Sequence, residues 1–250
     1  MIEIAQNYLA FSLAILGIFF GFLASVFGNS LPLNLAVMQL LLPGANFGVL
    51  VGQSKVGGIL RGTGFLLSVY KKIDLKIIAW IWPPIAIGSV VGVSLIAHLD
   101  SKWIFPTLVG AYFIAEFAGK IAPRISQTTL YPAALLTGIY IGFLGAGMRA
   151  ILMSFLRLRF PEDHLITTLK IHCSLVAWST AFIAAIGHFL HGNIVWAWAL
   201  PFAGGCFIGG LLGGQVLKNF TVKSPQTQKW LMRTSFGLGI LISGYLFFTS

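Results

Sequence analysis

The stretch GIFFGFL (Gly17–Leu23) returns 121 positions later as GIYIGFL (Gly138–Leu144). Two more echoes follow in the same order. WIWPPIAIGSVVG (80–92) is matched by WALPFAGGCFIGG (198–210) at Trp80/Trp198, Pro83/Pro201 and Gly92/Gly210. KWIFPTLVG (102–110) is matched by KWLMRTSFG (229–237) through Lys-Trp, Thr and Gly. The offsets of the later pairs are 118 and 127, so small insertions align the two halves. Apolar chains produce chance matches easily, but three in register point to an internal duplication. The expected units are residues 1–122 and 123–250 of one integrated membrane domain, joined through the polar GKIAPRISQTT (119–129).

Of 250 residues, 57% are hydrophobic and only 9% charged, with a mean hydropathy of +0.90. Soluble domains carry roughly a quarter charged residues, so this chain cannot clothe a water-facing surface. Ile77 to Leu99 and Ile194 to Leu217 hold no charged residue, and each is long enough to cross a bilayer core of roughly 30 Å as a helix. A transmembrane barrel would alternate apolar and polar residues, and these runs are apolar on every side. The expected class is an all-α polytopic membrane protein. The start, MIEIAQNYLAF, has no basic residue and carries Glu3, so the first span is expected to be retained. Cys173 and Cys206 lie in apolar runs, which argues against a disulfide framework or a zinc site, and no cofactor is expected. The net charge of +10 is assigned to cytoplasmic loops of a membrane chain, not to nucleic-acid binding.

Each half opens with an interrupted span. Leu9–Phe27 runs into GNSLPLN, followed by Leu31–Leu42 and the break PGAN; Leu130–Leu144 runs into GAGMR, followed by Met148–Leu158 and RFPED. Three full spans are then expected in each half: Ala45–Tyr70, Ile77–Leu99 and Trp103–Ala118, then Leu165–Leu190, Ile194–Leu217 and Trp230–Phe248. Basic residues decide whether the interrupted pair crosses or turns back. If it crosses, loop cations divide five against six between the two faces. If it turns back, the halves are inverted. One face then collects Lys71, Lys72, Lys76, Lys120, Arg124, Arg157, Arg159, Lys218, Lys223 and Lys229, and the other only Lys102. The positive-inside rule selects the second arrangement, with two inverted repeats and both termini extracytoplasmic. Inverted repeats with broken helices at mid-depth are a common plan of secondary transporters.

Five cations fall inside apolar segments: Lys55, Arg61, Arg149, Lys170 and Arg233. Each costs at least about 2.5 kcal/mol near the bilayer centre, even on insertion scales. Arg233, one turn from Lys229, is expected to snorkel. Arg61, in RGTG, is open between a structural ion pair and a pathway residue. Arg149 follows the Gly145-Ala146-Gly147 break, at the start of a half-helix whose free N–H groups favour an anion. Asn29 and Ser30 hold the equivalent place in the first half. Lys55 and Lys170 occupy similar places on the long helix after each interrupted pair, in VGQSKVGG and TTLKIHCS. Gln53 and Ser54 adjoin Lys55 and could donate hydrogen bonds to oxyanion oxygens. The only embedded acid is Glu116, expected to pair with Lys120 one turn on. The missing negative charge is therefore expected to arrive with a small anionic substrate, bound among Arg149, Lys55, Lys170, Asn29, Ser30, Gln53, Ser54, Gly145 and Gly147. Snorkelling and backbone capping are the alternatives. His172 reads either as a hydrogen-bonded core residue or as one touching substrate or protons. Trp80, Trp82, Trp196 and Trp198 read as interfacial belt residues, Met38 and Met153 as packing, and most glycines as close helix contacts.

With two halves each opening on a glycine-containing helix, a glycine break, a short helix with a nearby Pro and then a helix bearing polar residues and Lys, nearly the whole chain resembles the sulfite exporter TauE/SafE family, also called the toluene sulfonate uptake permease family. Both copies of the break, Gly28-Asn29-Ser30 and Gly145-Ala146-Gly147, depart from the family's GxGGG-like pattern. The resemblance implies alternating-access transport of sulfite, thiosulfate, a sulfonate or a related small organic anion across a bacterial cytoplasmic membrane. The partners implied are that anion and the lipid bilayer, and a homo-oligomer is compatible with the sequence. A passive anion channel of similar architecture is the nearer rival. An intramembrane enzyme is the more distant one, since the chain has no Gly-x-Ser-x-Gly and no pair of embedded Asp residues.

In a Cys-free background, single cysteines at positions 72 and 223 should resist an impermeant thiol reagent added outside, whereas one at position 102 should react. Strong external labelling at position 223 would sink the inverted topology.

Overall fold

A computed structural model of the chain describes residues 2–27, 30–96, 99–121, 130–144, 148–159, 166–219 and 225–249. The first half contains α1 (Ile2–Phe27), α2 (Leu31–Leu41), α3 (Phe47–Val69), α4 (Trp82–Ile96) and α5 (Ile104–Ile121). The second contains α6 (Leu130–Phe143), α7 (Met148–Arg159), α8 (Ile166–Leu190), α9 (Trp196–Asn219) and α10 (Pro225–Thr249). No strand occurs among the described residues. Among the described residues, three helices are apolar enough over a sufficient length to cross a bilayer: α1 over Asn7–Phe27, α8 over Thr168–Leu190 and α9 over Trp196–Lys218. The protein is an all-α membrane protein.

Both interrupted spans break where the glycine-containing segments stand, α1 from α2 and α6 from α7. Pro32 falls in the first turn of α2, where a missing N–H costs nothing. The fourth span differs from expectation. Instead of starting at Ile77, the chain makes a 3₁₀ turn over Leu75–Ile77 and becomes α-helical only at Trp82. Pro83 and Pro84 account for the delay: two consecutive residues have no N–H to donate to a carbonyl one turn back and are favoured in a first helical turn, so the helix begins beside them and not at Ile77. The corresponding α9 carries one proline, Pro201, and accommodates it inside the helix.

The repeated phrase is a packing surface. In α1, Gly17 and Gly21 press against the backbone of α9, and a Cβ at Gly21 would stand 2.7 Å from the Cys206 carbonyl oxygen. Gly205 and Gly209 of α9 meet the carbonyls of Ala14 and Ile18 in return. In α6, Gly138 and Gly142 press against Ile85 and Ser89 of α4, while Gly88 and Gly92 of α4 meet Leu135 and Ile139. The first helix of each half thus lies on the fourth helix of the other. Such close approach brings dispersion and weak backbone contacts into play, which is how helices associate where lipid removes the hydrophobic drive.

Contact order along these helices fixes their directions. Ascending positions in α1 meet ascending positions in α9, and α3 does the same with α9 through Gly57 to Phe202 and Arg61 to Gly210. So does α4 with both α6 and α8, in the latter case through Trp82 to Ser179 and Val93 to Gly187. By contrast α3 and α8 run oppositely, since Gly52 meets His188 and Gly62 meets Trp178. Helices α5 and α10 also oppose, with Phe105 beside Phe247 and Glu116 beside Arg233. Accordingly α1, α3 and α9 share one sense, and α4, α6 and α8 the other. Helix α2 turns back between α1 and α3, with Asn34 reaching Ser54 across the return.

Gly205→Val should lower the thermal stability of the purified protein by at least about 1–3 kcal/mol, because the new side chain must displace a helix backbone. Gly204→Val, whose Cβ would meet nothing within 4 Å, should leave the melting temperature close to the parent's. Equal melting of the two variants would refute the packing just described.

Candidate anion site at the broken helices

The two breaks converge on one cavity of about 90 Å³. Ser30, at the head of α2, lines it from the first half, and Leu144 and Met148 line it from either side of the second break. Helix α3 contributes Ser54, Lys55 and Arg61, α8 contributes Thr180, and α9 contributes Cys206. The remaining wall is largely apolar, including Phe20, Ile141 and Phe202.

Lys55 is buried, 7% exposed, and its ammonium reaches across to the end of α6. Its Nζ donates to the Ile141 carbonyl at 2.8 Å and the Leu144 carbonyl at 3.2 Å. Those carbonyls stand in the last turn of a helix and just beyond it, where intrahelical partners run out and the dipole's negative end lies. One of the three ammonium donors remains for the cavity. Arg61 stands six residues on along α3, about 9 Å farther. It lines the same cavity, and among the described residues its guanidinium has neither a hydrogen bond nor an ion pair. No described carboxylate lines the cavity.

Glu116 pairs with Arg233, whose Nε and Nη2 donate to the two carboxylate oxygens at 3.2 and 2.5 Å; the side chain of Lys120, its expected partner, lies outside the described residues. The opposed run of α5 and α10 brings these residues level, so the exposed Arg233 side chain is also anchored by a carboxylate. This bidentate geometry withdraws the embedded acid from any role at the cavity.

Among the remaining candidates, the Ser30 hydroxyl donates to the Phe20 carbonyl at 3.1 Å, fastening the head of α2 to α1. Ser54 accepts from Asn34 Nδ2 at 3.0 Å and donates to the Leu50 carbonyl at 3.1 Å. Gln53 lies away from the cavity. With its amide turned as its partners require, it accepts from the Val195 N–H at 2.9 Å and donates to the Val195 carbonyl at 3.3 Å. His172 is also structural: Nδ1 pairs with the Thr168 carbonyl at 2.7 Å, and Nε2 accepts from the Asp74 N–H at 3.0 Å. It therefore holds the Nδ1–H tautomer and pins the connection before α4. Lys170 is buried in α8 outside the cavity lining. Arg149 is the second residue of α7, directly after Met148, and its side chain lies outside the described part, as do Asn29, Gly145 and Gly147. Sequence reasoning passed over Asn34 and Thr180; a lone Asn or Thr in an apolar helix gives no signal without its neighbours.

A family model described as Sulfite exporter TauE/SafE matches residues 13–246. The chain belongs to that family. No curated protein and no solved structure matches it. TauE/SafE proteins are membrane transporters, and the cavity must be judged as a place where a solute could rest.

The two cations differ in what they need. Lys55→Met should destabilise the anion-free protein by roughly 1.5–3 kcal/mol, the scale of hydrogen bonds to a charged group. Arg61→Met should leave the anion-free melting temperature at or above the parent's. The reverse order in thermal unfolding without added anion would show that Arg61 is the structural cation.

Proposed function

We propose that this TauE/SafE protein is a secondary carrier for a small sulfur-containing oxyanion, such as sulfite, thiosulfate or a sulfonate. One observation carries the reading: Arg61, with no protein partner described, faces a cavity that also holds the Lys55 ammonium and no described carboxylate. A guanidinium offers a planar fork of donors that fits an oxyanion bidentately, and burial among apolar walls strengthens that attraction. Arg149, at the head of α7, is proposed as a second ligand from the other side of the break.

The repeat reading is part of the proposal. Units 1–122 and 123–250 would be inverted copies, a reading supported by the exchange of α1 and α6 onto the opposite half and by the opposed senses of α3 and α8. Rocking of one copy against the other would open the cavity to each side in turn. The distribution of loop cations supports both termini lying outside a cytoplasmic membrane.

Proteoliposome flux tests the reading. Uptake of sulfite or thiosulfate should saturate, and internal unlabelled anion should accelerate it. Linear flux without such exchange would favour a channel. Arg61→Ala should raise KM roughly ten- to a hundredfold. Arg149→Ala should raise it too, with Arg149→Lys restoring only part, while Arg233→Ala should change little. Parental KM in both Arg61→Ala and Arg149→Ala would remove the anion site from this cavity.

A further inference from the structure

His188 lies in the last turn of α8, fully buried, and neither Nδ1 nor Nε2 has a hydrogen-bond partner. The other histidines described in or near α8 are engaged. His172 is held at both nitrogens, and Nδ1 of the exposed His191 pairs with the Gly187 carbonyl at 2.7 Å. An apolar side chain of similar bulk would fill the His188 position without burying two unsatisfied ring nitrogens.

The residue stands on a line that leads to the cavity. Ala177 and Ala181 of α8 line the cavity, and His188 is two helical turns beyond Ala181 on the same face, about 10 Å away. Only the small buried Ala184 and Ala185 intervene on that face. Across from it on α3 is Gly52, where a Cβ would come 3.4 Å from the His188 Cβ, and Lys55 follows Gly52 by one turn. The charged or titratable groups near the imidazole are Lys55 on α3 and His191 in the turn just after α8. Helix α4, which packs on this part of α8 through Val93 and Gly187, carries no titratable side chain between Trp82 and Ile96.

We propose that His188 takes up a proton when the anion binds, so that the carrier moves anion and proton together. This rests on the carrier reading above. A proton on the imidazole adds positive charge near Lys55 with no described carboxylate to balance it. An anion between Lys55 and Arg61 supplies that balance, and the same interaction makes a protonated His188 bind the anion more tightly, since coupling between two sites is reciprocal. Empty sites lack the proton and loaded sites carry it. His188 therefore acts through the charge of the cavity and does not touch the anion.

The test uses the full-length protein in proteoliposomes, with thiosulfate or benzenesulfonate as the probe because neither protonates near neutrality. Three quantities are read: anion–anion exchange at equal pH, accumulation driven by an imposed pH difference, and the accompanying proton movement seen by a trapped pH dye. The parent should accumulate the anion toward the alkaline side. At saturating anion, His188→Gln and His188→Asn should keep exchange within about twofold while pH-driven accumulation and the dye signal fall by about tenfold or more. Parental accumulation in both variants overturns the proposal, as does a parent that carries the anion with no proton signal; the second result leaves the carrier reading standing. Loss of exchange in both variants makes His188 a structural residue, which also overturns it. A parent with no saturable flux of either anion removes the carrier reading and this inference together.

Discussion

Backbone meeting backbone at glycine is the contact on which the rest of the structure depends. Where Gly17 and Gly21 meet α9, and Gly138 and Gly142 meet α4, no side chain separates the helices. Lipid tails are as apolar as leucine, so greasy side chains alone give two such helices little reason to choose one another. Close approach gives that reason. It also locks the first helix of each half to a helix of the other, so that neither half is closed by itself. Because α1 and α6 are the helices that break, the same contacts place both broken ends over one space.

A broken helix in a membrane leaves carbonyls with no water to satisfy them. At the end of α6 the answer is Lys55, drawn from the opposite half. A charge and a helix end that would each be costly alone become partners, and a seam between halves acquires a fixed cation. Arg61 follows on the same helix without such an arrangement, and Asn34, which lines the same cavity, keeps Oδ1 without a partner among the described residues. The site is thus graded, from a cation anchored by protein to one whose counter-charge must come from elsewhere.

Much of this was legible in the sequence because the bilayer limits the alternatives. Low charge and long apolar runs gave the class, and the helix ends at Phe27 and Leu31 and at Phe143 and Met148 fall within a residue or two of those expected at the interruptions. Tertiary pairing was not legible. Sequence spacing points Glu116 to Lys120 one turn ahead and says nothing of Arg233, which it meets on an opposed helix. Gln53, adjacent to a buried lysine, points instead to the Val195 backbone. Side chains at neighbouring positions of a helix face different ways, and sequence adjacency to a cation says little about which of them share its cavity. Asn34 and His188 stayed silent for the same reason, since their meaning lies in which atoms are left unsatisfied.

The late start of α4 has a consequence for the surrounding lipid. Its 15 described residues span about 22 Å, short of the roughly 30 Å of a typical hydrocarbon core. One flank is exposed through Ile87, Val90, Val91 and Leu95, so it meets acyl chains directly. A helix of that length is matched by a thinner bilayer, and the mismatch costs fractions of a kcal/mol per Å. The membrane beside α4 would therefore be pinched, leaving Lys71, Lys72 and Lys76 before the proline pair room to stay among headgroups. Bilayer thickness then becomes a variable of this protein's energetics, felt first at the helix on which α6 is seated.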